Sequence, residues 1–319
     1  SKLNGSNADL LSAGQFGSFG ENLWRDLKVG AYFSSRDVTE KISIFGGALF
    51  GFGSTPADGV GDFISPGRLN DLDRDVFLIF EHRGIPLVET SWSPTVSIEL
   101  YHQKRNVQDG LSIEEFPCTS CLPVTKNVDI RYSIWEANLF LRSKLNRWSL
   151  LELGANYSPY SVSTDGFVSE ELNQFIPGST SEYFKGNTFS ASYIAELIEP
   201  SRNRDITPIG IKGQFTYRYQ PNRLLSEFEV NDGILSPVYD KVSNHSLELR
   251  FRQGFQLGGD DAAMITTRAF SYLNQPEDYF YLDYIGGLTG LRSYPFFAVG
   301  GQRPAFLRAS YLTPIFQSI

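Results

Sequence analysis

The stretch IGIKGQFTYRY, residues 209–219, decides the fold. Side chains alternate along an extended chain, so Ile209, Ile211, Gly213, Phe215, Tyr217 and Tyr219 share one side, and Gly210, Lys212, Gln214, Thr216 and Arg218 share the other. A strand buried in a sandwich core does not set Lys, Gln, Thr and Arg in succession on one side while closing its apolar side in tyrosines. A strand between lipid and a wet interior does, because aromatic rings settle at the interface and polar groups turn toward water.

The same alternation spreads in both directions. Val29, Ala31 and Phe33 oppose Lys28, Gly30 and Ser34, and Val96, Ile98 and Leu100 oppose Ser97, Glu99, Tyr101 and Gln103. Trp135, Ala137, Leu139 and Leu141 oppose Glu136, Asn138 and Arg142; Leu151, Leu153, Ala155 and Tyr157 oppose Glu152, Gly154 and Asn156. Phe189, Ala191, Tyr193 and Leu197 oppose Ser190, Ser192 and Glu196, and Leu247, Leu249, Phe251 and Phe255 oppose Ser246, Glu248, Arg250 and Arg252. With weaker runs at 42–52, 75–83, 262–272 and 305–311, the pattern predicts about eleven strands. Their connections alternate in length: short at 35–40, 84–91, 144–147, 199–207 and 258–261; long at 54–72, 106–128, 164–187, 220–241 and after Tyr272. Short turns at one end and long loops at the other mark an outer-membrane barrel. The expected fold is therefore all-β, a transmembrane antiparallel β-barrel.

Composition agrees. Of 319 residues 14% are aromatic and 29 are glycine, so strand and turn formers dominate together. Mean hydropathy is slightly negative, as alternating strands require, and no apolar run is long enough for a membrane helix. The net charge of −8 lacks a concentrated basic footprint and argues against nucleic acid. His82, His102 and His245 are isolated, and no nucleophile elbow or HExxH pair occurs, so no catalytic residue, metal ligand or cofactor site is expected. Cys118 and Cys121, in PCTSC, cannot complete a zinc site alone, and a local disulfide is the expected use.

The final connection, 279–316, reads YFYLDYIGGLTGLRSYPFFAVGGQRPAFLRASYLTPIF. It is too apolar for a free surface loop, and its one central cation, Arg292, lies among Leu291, Tyr294, Phe296 and Phe297. An ordinary hairpin loop with an exposed arginine is the plainer alternative. The run Gly286, Gly287, Leu291, Arg292, Ser293, Tyr294, then Gly300, Gly301 and a strand ending near Phe316, resembles the inward-folded sixth loop and following strand of the BamA/TamA superfamily, the bacterial surface antigen barrels. Ser293 stands where that family has Gly.

The resemblance implies that Arg292 points into the lumen and anchors the loop to the inner wall, in a structural role. It implies a sixteen-stranded barrel of which this chain supplies about eleven strands. Residues 1–24 then lead into the barrel, and 25–319 form an incomplete barrel with the inward-folded loop at 285–303. Strand one and strands thirteen to sixteen are expected from outside these eleven. It further implies residence in the bacterial outer membrane and work on protein cargo without a cofactor, either insertion of nascent barrels or translocation. The implied partners are the lipid bilayer, client proteins, and periplasmic or lipoprotein components. A passive channel and a membrane-anchoring subunit of a larger assembly stay open as alternatives.

Overall fold

The computed structural model describes residues 28–51, 72–84, 93–115, 124–169, 173–198, 209–231, 234–258, 261–274, 281–286 and 299–313. In chain order the strands are β1 (Lys28–Arg36), β2 (Ile42–Gly51), β3 (Asp73–Arg83), β4 (Thr95–Glu115), β5 (Val124–Lys144), β6 (Ser149–Thr164), β7 (Phe167–Ser169), β8 (Gln174–Ile176), β9 (Ser179–Ile198), β10 (Gly210–Asn231), β11 (Ile234–Gly258), β12 (Asp261–Tyr272), β13 (Asp283–Tyr284), β14 (Gly300–Gly301) and β15 (Ala305–Leu312). Eleven of them form one antiparallel sheet in the order β1-β2-β3-β4-β5-β6-β9-β10-β11-β12-β15. The chain is a meander, since each strand pairs with the next one to enter the sheet. Among the described residues the sheet does not close on itself, and β1 and β15 are its edges. Residues 1–24 lie outside the described residues.

Register fixes the two faces. Phe215 on β10 stands opposite Tyr193 on β9 and Leu249 on β11, while Thr216 stands opposite Ser192 and Glu248. The polar set is the buried one: Ser97, Ser158, Ser192, Thr216, Asn244, Ser246 and Glu248 are all nearly inaccessible. The apolar set is exposed, with Phe215 at 47%, Leu249 at 46% and Phe189 at 52%. This is the reverse of a water-soluble sheet.

The sheet curls around its polar face. Glu136 on β5 and Arg268 on β12 line the same cavity of about 400 Å³, although five strand spacings of about 4.8 Å would hold them ~24 Å apart in a flat sheet. We therefore call the polar face inner. Close packing is helped where a residue has no side chain: Phe140 lies across Gly154 on the neighbouring strand, and a Cβ there would come within 3.0 Å of its ring.

On the outer face Trp135, Tyr157, Phe189, Tyr219 and His245 gather toward the long-connection end. Tyr219 stacks on His245 at 4.8 Å between ring centroids, Phe189 stacks on Tyr219 at 6.5 Å, and Trp135 packs against His102 at 4.1 Å. From Ile209 to Tyr219 the extended chain rises about 34 Å.

Beyond that belt the structure departs from the sequence expectation. The stretches 106–128 and 220–241, expected as long loops, are mostly strand: β4 runs on to Glu115, and β10 and β11 continue to Asn231 and from Ile234. Above the belt both sides of these strands carry polar residues, so the apolar period vanishes while the hydrogen-bonded ladder persists. Similarly, 164–187 contains the β7–β8 hairpin and the first residues of β9. Where β9 and β10 part between Tyr219 and Arg223, Pro221 has no N–H to offer. There the Asn187 backbone N–H donates to Asn222 Oδ1 (2.9 Å) and Asn187 Nδ2 donates to the Pro221 carbonyl (3.3 Å), so side chains replace the ladder.

The short turn between β1 and β2 closes through Asp37 N–H to Ile42 O and Glu40 N–H to Asp37 O, both 2.9 Å, with Glu40 in the left-handed region at φ 54°. The Thr39 hydroxyl donates to the Asp37 carboxylate. That bond holds the Asp37 carboxyl below the usual carboxylate range.

Candidate functional site

The inner face of β10, β11 and β12 converges on one carboxylate. Glu248, at 2% exposure, accepts from Arg218 Nη2 at 2.5 Å and from Arg250 Nε and Arg268 Nε at 2.7 Å each. The period of two creates this cluster: Arg250 follows Glu248 by two residues, Arg268 stands directly across from Arg250, and Arg218 is the diagonal neighbour on β10. Three guanidiniums around one buried acid leave an excess of positive charge. The connection after β12 supplies a second acid: Arg268 Nη2 donates to Asp283 Oδ1 at 2.9 Å, and its Nη1 to the Tyr284 carbonyl at 3.4 Å.

Residues 281–286 therefore lie on the inner face. Tyr281 packs with Phe184, Phe270 and Tyr272 in a small apolar cluster, and Ile285 and Gly286 are buried. The returning half of the connection is fastened as well. Asp283–Tyr284 pairs antiparallel with Gly300–Gly301, Ile285 N–H donates to Val299 O at 3.0 Å, and Tyr272 N–H donates to Gln302 O at 3.1 Å. Gly300 is required by contact, since a Cβ there would sit 2.6 Å from the Tyr284 ring.

Of the sequence-derived loop residues, Gly286, Gly300 and Gly301 are thus brought together at the base of an inward-lying segment. Gly287, Leu291, Arg292, Ser293 and Tyr294 lie outside the described residues, as do Cys118 and Cys121. The described anchor of the loop is Arg268 with Asp283, neither of which was singled out in the sequence. One signal was available: Asp283 is the sole acid inside the aromatic run YFYLDYIGG.

Elsewhere on the inner wall the carboxylates find basic or hydroxyl partners. Glu152 accepts from Arg142 at 2.6 Å, Glu196 from Lys212 at 2.8 Å, Glu136 from the Tyr160 hydroxyl at 3.1 Å and Glu99 from that of Tyr101 at 3.0 Å. Among the described residues no three of His, Cys, Asp and Glu come together as a metal site. The arrangement can hold a polypeptide segment against a wet wall through buried charge.

No protein-family model, no curated protein and no solved structure matches the chain.

Proposed function

We propose that this chain forms the wall of a bacterial outer-membrane β-barrel whose lumen is partly filled by the connection after β12, and that it serves, as a BamA/TamA-like protein, in assembly or translocation of outer-membrane proteins. The observation that carries the membrane part is the inverted burial: buried Ser, Thr, Asn and Glu inside and exposed Ile, Leu and Phe outside, along strands that would rise roughly 25 Å at the tilt usual in such barrels. In water such a surface would be an aggregation hazard; in lipid it is the stable choice. Lipid also forbids open edges, because an unpaired backbone group there costs several kcal/mol, so β1 and β15 need further strands beside them. The fastened segment 281–286 supports cargo work over simple conduction, since it occupies the path that a pore would keep clear.

The test is depletion of the native protein in its host, with folded outer-membrane proteins counted by heat-modifiable migration. Loss of several unrelated barrels supports the assembly reading. Unchanged barrels, together with steady open conductance of the purified protein in planar bilayers, would replace it by a passive channel.

A further inference from the structure

We propose a binding site for a phosphate-type oxyanion on the inner wall at the short-turn end of β10, β11, β12 and β15. It goes beyond the assembly role and would stand equally in a channel, because it depends only on the inner face.

In register, Lys212, Arg252, Thr266 and Arg308 form one row across the four strands, and Gln214, Arg250, Arg268 and Phe306 form the next. Two neighbouring rows thus hold five cations. Glu196 answers Lys212, while Glu248 and Asp283 are committed to Arg250 and Arg268. Arg252 has no hydrogen bond or ion pair among the described residues. Arg308 Nε and Thr266 Oγ1 are buried and have no hydrogen-bond partner among the described residues. Buried donors left open cost free energy, and like charges set side by side repel; together they call for an anion.

Space for one exists. A cavity of about 530 Å³ is lined by Lys212, Arg252 and Thr266 and bounded by Tyr284, Ile285 and Gly286 of the inward segment. The loop itself cannot supply the charge from its continuation, since residues 287–298 contain no Asp or Glu and add a further cation, Arg292. Guanidinium groups dock phosphate or carboxylate through paired N–H donors. A phosphate suits this set better than a carboxylate, having enough oxygens to accept from the Arg252 guanidinium, the Lys212 ammonium and the Thr266 hydroxyl at once, while Arg308, in the same row but outside the lining of the cavity, adds its charge from the next strand. The volume leaves room for part of the molecule that bears it.

The experiment is calorimetric titration of the purified, folded chain in detergent with inorganic pyrophosphate and, separately, with dihexanoyl phosphatidic acid below its micellar concentration. Saturable binding of at least one probe is expected, and the Arg252→Gln/Arg308→Gln variant should weaken it at least about tenfold. Arg252→Lys/Arg308→Lys should lose less, about threefold, by keeping charge without the fork. Pyrophosphate binding assigns the site to free phosphate groups, and binding of phosphatidic acid alone assigns it to a lipid headgroup. Absence of saturable binding with both probes overturns the site, as does unchanged affinity in a Gln variant that keeps the heat-modifiable migration of the parent. Should the double variant not fold, Arg252→Gln alone carries the same test, with about a fivefold loss expected.

Discussion

The inner face differs between the two ends of the sheet. On β10 to β12 it is polar and densely paired around Glu248, and the chain folds back to meet it through Asp283. On β1 to β3 the same face carries Tyr32, Phe45 and Phe77 in an aromatic row, with centroids 6.1 and 5.1 Å apart. There the inward Phe45 and Leu49 are as exposed as many outward residues. The ion pairs of this end, Lys28 and Arg105 with Asp75 and Arg142 with Glu81, lie to either side of the aromatic row, so at the row itself register rather than polarity tells the sides apart.

This contrast can be broken most forcefully at its polar end. Glu248→Gln leaves three guanidiniums facing an uncharged amide, and loss of one partner from a buried ion cluster costs about 3–5 kcal/mol. Denaturant unfolding of the folded protein in vesicles should show that loss, and a variant as stable as the parent would show the cluster to be solvated. Next in size is the outer face. Leu249→Arg should cost about 2–4 kcal/mol if that position meets the bilayer midplane. Phe45→Arg, inward on β2, should cost far less in the same measurement; equal penalties would mean that the two faces of the β1–β3 end have been confused.

A smaller effect sharpens the comparison at the loop. Arg268 and Asp283 are each 20% exposed, and a double-mutant cycle with Arg268→Ala and Asp283→Ala should give a coupling of about 1–2 kcal/mol. Limited proteolysis should then cut within residues 275–303 faster in either variant. Smallest is Glu40→Gly in the first turn, which relieves a left-handed non-glycine residue and should raise stability by about 0.5 kcal/mol. No gain would mean that the φ of 54° is carried without strain.

Much of this was legible in the sequence, for a physical reason. Alternation of apolar and polar side chains leaves a two-residue period that needs no tertiary knowledge, so 209–219 and its kin gave strands, faces and the order of connections. The period fails where both sides of a strand carry polar residues, which is why the extensions of β4, β5, β10 and β11 read as loops. The site was half visible. Arg218, Arg250 and Glu248 stood out as an inward row, but their convergence depends on register with β12, whose pattern is weak, so Arg268 was missed. Asp283 was overshadowed by the glycines and Arg292 that follow it.

The uneven spacing of the meander also sets an order of assembly. Nine of the sheet strands join their predecessor in the sheet across shorter connections, whereas β15 must return across about thirty residues to pair with β12. Loop-closure entropy grows with the length of chain to be closed, and non-local pairings form late. The Asp283 contact to Arg268 and the pairing of β13 with β14 divide that span into shorter closures, so the inward segment acts as a staging point. Pulsed hydrogen exchange during refolding should find the β12–β15 amides protected last, and later still once Asp283 is replaced.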